Sequence, residues 1–499
     1  MSIHLSAANL PALSGVARTP AYDRADLTAG ILHIGVGNFH RAHQAVYLDD
    51  LFGRQQDLDW AIIGAGVRDV DAAMRRDLAS QDLLTTVVEQ EADRSAVRIT
   101  GAMIDFIGVG DTPALLARLQ DPAIRIVSLT ITEGGYCMDP ATQRFDPTHP
   151  DMVVDADATA ALHPRTPFGM IVAALRRRRD GNVGAFTVMS CDNLPGNGDV
   201  TRNAVTGLAK LVDPSLADWI GERVAFPNSM VDRITPATTD RERDVLRQTY
   251  GIVDARPVFC EAFRQWVVED RFPSGRPALD EVGVQFVADV LPFELMKIRM
   301  LNGGHAAIAY PAALMDIHFV HEAMAEPLVS GFLSKLLDTE IIPIVPPVPA
   351  TDLRDYKALI ERRFANPKIG DTIRRLCLDG SNRQPKFILP SVAERLQKGL
   401  GIEGLALVAA FWCRYCRGET DSGVAIAAND PDWTRLQERA HRARQHASAW
   451  LGMRDIFGDL GADERYAKAF ARALERVWRD GTRATLAHYL DSQHEAPTR

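Results

Sequence analysis

Four polar side chains crowd the stretch Leu291–His305: Glu294, Lys297, Asn302 and His305. Read as an α-helix at about 100° per residue with Lys297 at zero, Glu294 falls at about 60°, His305 at about 80° and Asn302 at about 140°. They share one side of a helix whose other positions include Met296, Met300, Leu301 and Ile308, so that side is not a plain solvated face. A lysine among such neighbours is expensive unless it is paired, neutral or functional. Once burial lowers its pKa, such a lysine can act as a base for a hydroxyl proton near neutral pH. An amide such as Asn302 stabilises an oxygen that gains negative charge. The histidine can orient the hydroxyl or the lysine, and Glu294 can carry the proton towards solvent. Together the four residues suit oxidation of an alcohol. Gly303 and Gly304 weaken the helix and leave room for a close approach.

A second amide lies in Ser190–Gly198, after the apolar run 185–190. The carboxyl end of a strand in an open α/β sheet is where ligands sit, and there Asn193 can complete an oxyanion site with Asn302. It can equally be a turn residue ahead of Pro195.

The elements that must position these groups begin at residue 30. An apolar run ends in Gly35-Val36-Gly37-Asn38-Phe39-His40, and a helix pattern follows directly. Glycines permit a tight turn, and backbone amides at Gly35, Gly37, Asn38 and Phe39 can approach a pyrophosphate at the helix start. His40 stands where the usual fingerprint has its third glycine, and a bare G-x-G also fits an ordinary strand-to-helix turn. The βα units that follow favour the dinucleotide reading. After the second apolar run, 60–67, comes Arg68-Asp69. An acid there accepts hydrogen bonds from ribose hydroxyls and repels a 2′-phosphate, which points to NAD. Asp69 lies further from the glycines than the usual spacing of about 20 residues. Arg68 can bind a 2′-phosphate, and Asp69 can simply cap the next helix.

Further strand patterns at 123–132 and 185–190 alternate with helix patterns at 41–53, 69–80, 112–122 and 168–181. Strands this apolar are buried on both faces. After residue 285 the patterns are helical, at 322–337, 352–364, 404–416, 432–452 and 464–481, with a stiff proline-rich connector at 341–349. The expected architecture is an α/β Rossmann-type doubly wound sheet over 1–284 and a mostly α domain over 285–499. Of the 499 residues, 46% are hydrophobic and 24% charged, with net charge −9. That balance fits two soluble globular domains and argues against a partner with a phosphate backbone. No export signal, membrane span or low-complexity tract is read, so the expected location is the cytoplasm. The six scattered cysteines fit reduced thiols, and Cys413-x-x-Cys416 lacks the second pair that structural zinc wants. The arginines at 176–179 read as a dipole-matched helix end.

The segments GVGNFHRAHQ (35–44), SLTITEGGYC (128–137), TVMSCDNLP (187–195), FPNSMVDRITP (226–236), MKIRMLNGGH (296–305) and DGSNRQPKF (379–387) carry a resemblance to a family. The chain resembles the polyol-specific long-chain dehydrogenases over nearly its whole length, the mannitol-oxidising branch most of all. The resemblance implies metal-independent, NAD-linked, reversible oxidation of a polyol to a ketose, with D-mannitol and D-fructose as the leading pair. Hexuronate reduction, or D-arabinitol or D-sorbitol oxidation, is the alternative on the same site, and a catalytically inactive nucleotide-binding regulator is disfavoured by the intact Lys297, Asn302 and His305. It implies Lys297 as general base, Asn193 and Asn302 as the oxyanion site, His305 as holder of substrate and lysine, and Glu294 as gate of a proton path. Glu133 joins that path from the cofactor side, Asp69 binds the adenosine ribose, and Asp232 and Arg375 contact polyol hydroxyls. Arg383 stands where family members carry lysine, which keeps the charge but changes its reach.

Overall fold

The computed structural model describes residues 2–139, 144–157 and 164–492, which form two compact units, Met1–Leu291 and Pro292–Arg499. In the first unit five short runs of branched apolar residues become strands: β1 (Ala29–Ile34), β2 (Ala61–Ala65), β3 (Met103–Ile107), β4 (Ile126–Leu129) and β5 (Thr187–Ser190). All pair in parallel, in the order β3-β2-β1-β4-β5. Alternate residues feed two cores. Leu32, Ile34, Ile63, Val127 and Leu129 pack on one face with helix Pro167–Asp180, whereas Ile31, Ile62 and Ile126 pack on the other with helix Gln44–Phe52. The sheet is thus a doubly wound Rossmann sheet, and its order reverses between β1 and β4.

Three further sheets in this unit lie outside the simple strand–helix alternation, one of them the parallel pair Ile3–His4 with Ile252–Val253. Thr85–Gln90 pairs antiparallel with Ser95–Thr100 and parallel with Val258–Glu261. Gln265–Glu269 pairs antiparallel with Ser229–Asp232 and parallel with Gln285–Val287. That last strand lies past the expected boundary at 284, and the first unit runs on to Leu291.

The second unit is helical, with no strand among its described residues. At its centre every residue of Gly404–Tyr415 in helix Glu403–Tyr415 is buried, packed by helices Gly303–Leu314 and Glu464–Asp491. Several expected helices are broken. Pro327 has no N–H to continue a helix, so 322–337 divides into Val320–Ala325 and Pro327–Leu336. The 432–452 stretch divides into Trp433–Ala443 and Ser448–Leu451, and 41–53 divides at His43, whose φ/ψ of −121°/−87° is not helical. The last helix instead runs ten residues beyond its expected end, with Gly481 at φ 77° within it. Part of the expected 341–349 connector, Ile342–Ile344, is a 3₁₀ turn following a π-turn at Leu337–Ile341. No helix among the described residues is long and apolar enough to cross a membrane.

Candidate cofactor turn and catalytic helix

In the first unit, β1 leads straight into the glycine turn. Gly35 sits at φ +100°, and a Cβ there would lie 2.1 Å from the Thr130 carbonyl oxygen at the end of β4. The close passage of these two segments therefore demands glycine. Gly37 differs: its φ of −103° suits any residue, and an added Cβ would meet nothing nearer than the Gly35 oxygen at 3.9 Å. Packing within the chain does not explain that glycine, and the space beside this turn of backbone amides is open. The Asn38 amide is engaged within the unit, donating to Thr238 Oγ1 at 3.0 Å and Pro236 O at 3.3 Å and accepting from Arg41 at 2.7 Å. Its backbone is what remains for a cofactor. Phe39 is half-buried and stacks on His43 at 4.7 Å.

His40, in place of the third fingerprint glycine, stacks on His33 with ring centroids 3.4 Å apart. His33 is the residue that sequence reasoning missed here. A histidine inside an apolar strand was the available signal. Its Nε2 lies 3.2 Å from the Gly35 carbonyl and 3.0 Å from Thr130 Oγ1, and its Nδ1 lies 2.8 Å from Ser128 Oγ. Burial lowers its pKa to about 3, so the ring stays neutral and braces the turn through one tautomer.

After β2, helix Asp69–Ala79 begins with Asp69 exposed. The capping acid is Asp71, whose Oδ2 accepts from the amides of Val67 and Arg68 at 3.0 Å each. Asp69 takes no part in that cap. Glu133 and Asn193 are both exposed, on the loops that follow β4 and β5. Asp232 is 4% exposed and ends strand Ser229–Asp232, which is tied to β5 by the Ser229 hydroxyl donating to Ser190 O at 2.6 Å.

In the second unit the four clustered residues ride one nearly continuous helix: Leu291–Met296, a π-turn at Lys297–Asn302, then Gly303–Leu314. The π-turn corrects the angular reading made for an ideal α-helix. It inserts one residue, so positions beyond it rotate back by about 100°, which brings Asn302 and His305 to within about 40° of Lys297. Glu294 and Lys297 are buried, at 6% and 7% exposure. Asn302 Oδ1 and His305 Nε2 are buried atoms with no hydrogen-bond partner among the described residues. The His305 ring stacks on Phe364 at 3.9 Å, and burial, helped by Arg375, Arg363 and Arg383, keeps its pKa well below 6.5. Gly303 and Gly304 do leave room for a close approach, but by the protein itself: added Cβ atoms would lie 3.3 Å from the Phe387 carbonyl and from Leu333.

The two arginines expected at the substrate are engaged nearby. Asp371 holds the Arg375 guanidinium through two hydrogen bonds, one of 2.5 Å to Nε and one to Nη2. Arg383 Nη1 donates to Leu376 O at 3.2 Å and Arg375 O at 3.3 Å. The six cysteines are buried and unbridged, and among the described residues no three His, Cys, Asp or Glu side chains are grouped to hold a metal ion.

A family model described as the mannitol dehydrogenase Rossmann domain matches residues 29–281, and one described as the mannitol dehydrogenase C-terminal domain matches 289–478. A mannitol 2-dehydrogenase of Cereibacter sphaeroides is 60% identical over 472 residues, covering 94% of this chain and 98% of the relative. The Pseudomonas fluorescens mannitol 2-dehydrogenase, solved as a ternary complex with NAD and D-mannitol, matches with a TM-score of 0.89 at 42% identity, over 98% of this chain and 100% of that one. A D-sorbitol dehydrogenase solved in substrate-free form matches with a TM-score of 0.88 at 34% identity, over 97% of this chain and 100% of that one.

Proposed function

This chain belongs to the mannitol dehydrogenase family, and from that premise we propose that it is an NAD-dependent oxidoreductase interconverting D-mannitol and D-fructose. The observation that carries the chemistry is the π-turn, which bears buried Lys297 at its start and, at and beyond its end, buried polar atoms of Asn302 and His305 that have no hydrogen-bond partner among the described residues. When bound, NAD supplies the acceptor for the hydride that leaves the alcohol carbon. Lys297, in its uncharged form, takes the hydroxyl proton, and Glu294, one turn earlier, relays it towards solvent with Glu133 as the second acid of that path. As negative charge builds on the oxygen, the Asn302 amide donates to it, and Asn193 is the second donor. In either orientation of the Asn302 amide a buried atom is left for a ligand hydroxyl. Neutral His305 orients the hydroxyl and the lysine. No role is given to a metal ion.

On the cofactor side, Gly35, Gly37, Asn38 and Phe39 offer backbone to the pyrophosphate, and the exposed carboxylate of Asp69 receives the ribose hydroxyls. Asp232 and Arg375 contact the polyol, and Arg383 supports Arg375 by bonding to its carbonyl. The pairing of Arg375 with Asp371 favours a neutral polyol over a hexuronate, because the guanidinium a carboxylate would seek already holds one. D-sorbitol is the second reading, favoured by the 34% identity to a D-sorbitol dehydrogenase.

Initial rates of NADH oxidation with D-fructose, beside D-fructuronate and again with NADPH, test this directly. Turnover of fructose with NADH in clear excess of the other combinations is expected. Turnover of fructuronate alone would move the chain to hexuronate reduction.

A further inference from the structure

Asp192 stands where two loops meet at the carboxyl edge of the Rossmann sheet. Its carboxylate is buried at 8% exposure. Oδ1 accepts from the Thr132 amide at 2.9 Å, and Oδ2 accepts from the Ile131 amide at 3.0 Å and the Tyr136 hydroxyl at 2.8 Å. Tyr136 in turn lies 2.5 Å from Ser190 Oγ, which accepts from the Asp192 amide at 3.2 Å. One carboxylate on the loop after β5 therefore grips the loop after β4 at three points.

What it grips is strained. Thr132 has φ 65° and ψ 162°, a region that β-branched residues avoid and that glycine alone occupies freely. Its side chain is exposed and makes no capping bond. Thr132 immediately precedes Glu133, and Asp192 immediately precedes Asn193. The clamp thus lies next to two candidate site residues at once. Burial raises the Asp192 pKa, and the three hydrogen bonds favour the ionised form that makes the grip.

We propose that Asp192 is a positioning residue: by holding Thr132 in its unfavourable conformation and tying together the two loops, it places Glu133 for the proton path and Asn193 for the reacting alcohol. This rests on the reading that those two residues serve the reaction. Misplacement of a reacting group by about 1 Å can cost about 100-fold in rate. Asp192→Asn keeps the shape but loses one acceptor, so kcat for fructose reduction should fall by about tenfold or more, while the Kd for NADH stays within about threefold. Thr132→Gly alone should leave kcat near the parent value. Combined with Asp192→Asn it should restore part of the loss, because glycine adopts φ 65° without the strain that the clamp otherwise has to overcome.

A purely structural Asp192 would lower the melting temperature without this rescue. Parent kcat in Asp192→Asn, or a double variant as slow as the single one, overturns the proposal. Should Asp192→Asn not fold, Tyr136→Phe removes one hydrogen bond from the carboxylate, and an unchanged kcat there also overturns it. Asn193→Ala separates the two levels. If that variant is slow and Asp192→Asn is not, the clamp fails alone. If Asn193→Ala turns over at the parent rate, the reading beneath the clamp fails and takes the proposal with it.

Discussion

At the scale of single residues, the proposed base and the proposed ribose acid make opposite predictions about cofactor and chemistry. Lys297 acts on the alcohol proton, so Lys297→Ala should lower kcat by about 10²- to 10⁴-fold while NADH still binds, as fluorescence titration would report. Loss of NADH affinity, or intact turnover, contradicts that assignment. Lys297→Arg should be equally slow, because a guanidinium keeps its proton and cannot serve as the base. Asp69 is exposed and the helix it opens is capped by Asp71, so Asp69→Ala should leave the melting temperature almost unchanged. It should raise the ratio of NADPH to NADH activity, and an unchanged ratio removes Asp69 from the ribose.

Among the elements, the turn between β1 and its helix separates two uses of glycine. Gly35 is required by the fold: alanine there adds a backbone penalty of about 1–3 kcal/mol at φ +100° and a clash with the Thr130 carbonyl. Gly35→Ala should lower the melting temperature and the NADH affinity together. Gly37 is under no such demand from the fold. Gly37→Ala should therefore leave the melting temperature within the scatter of replicates and weaken NADH binding. A Gly37→Ala protein that binds NADH normally would show that the cofactor does not approach this turn closely. The two π-turns of the second unit, at Lys297–Asn302 and Leu337–Ile341, also belong to this scale. The first gathers Asn302 and His305 towards Lys297. The second presents Glu340 to the start of the buried helix Glu403–Tyr415, where its carboxylate accepts from the amides of Gly404 at 2.5 Å and Leu405 at 2.9 Å.

For the molecule as a whole, Glu340 couples stability to pH. Burial raises its pKa from 4.5 to about 7, against the opposing pull of the two amides and Arg395 and with the help of Glu403. Between those values the folded chain binds more protons than the unfolded one, so this group's contribution makes stability fall as pH rises from 4.5 to 7. Glu340→Gln should flatten that part of the melting-temperature profile. A profile identical to the parent's would mean that the carboxylate titrates alike in both states.

At the same scale, residue order alone carried the division into a Rossmann half and a helical half. Buried parallel strands are continuous branched apolar runs and helices repeat every 3.6 residues, so both are local signals. The glycine turn and the cluster around Lys297 were legible for the same reason, since each occupies a few consecutive turns of chain. The antiparallel pairs were not, nor was the strand at Gln285–Val287 that carries the first unit past residue 284. Their partners are chosen by which segments the fold brings alongside. The π-turn has no local marker either, and an ideal helix misplaces Asn302 and His305. Asp192 grips an amide 60 residues away. That bond exists because β4 and β5 are neighbours in the sheet. Local order determined which residues are candidates for the chemistry, and tertiary packing decided how the turns that carry them are held, because hydrogen bonds and strain across distant segments exist only once the chain has closed on itself.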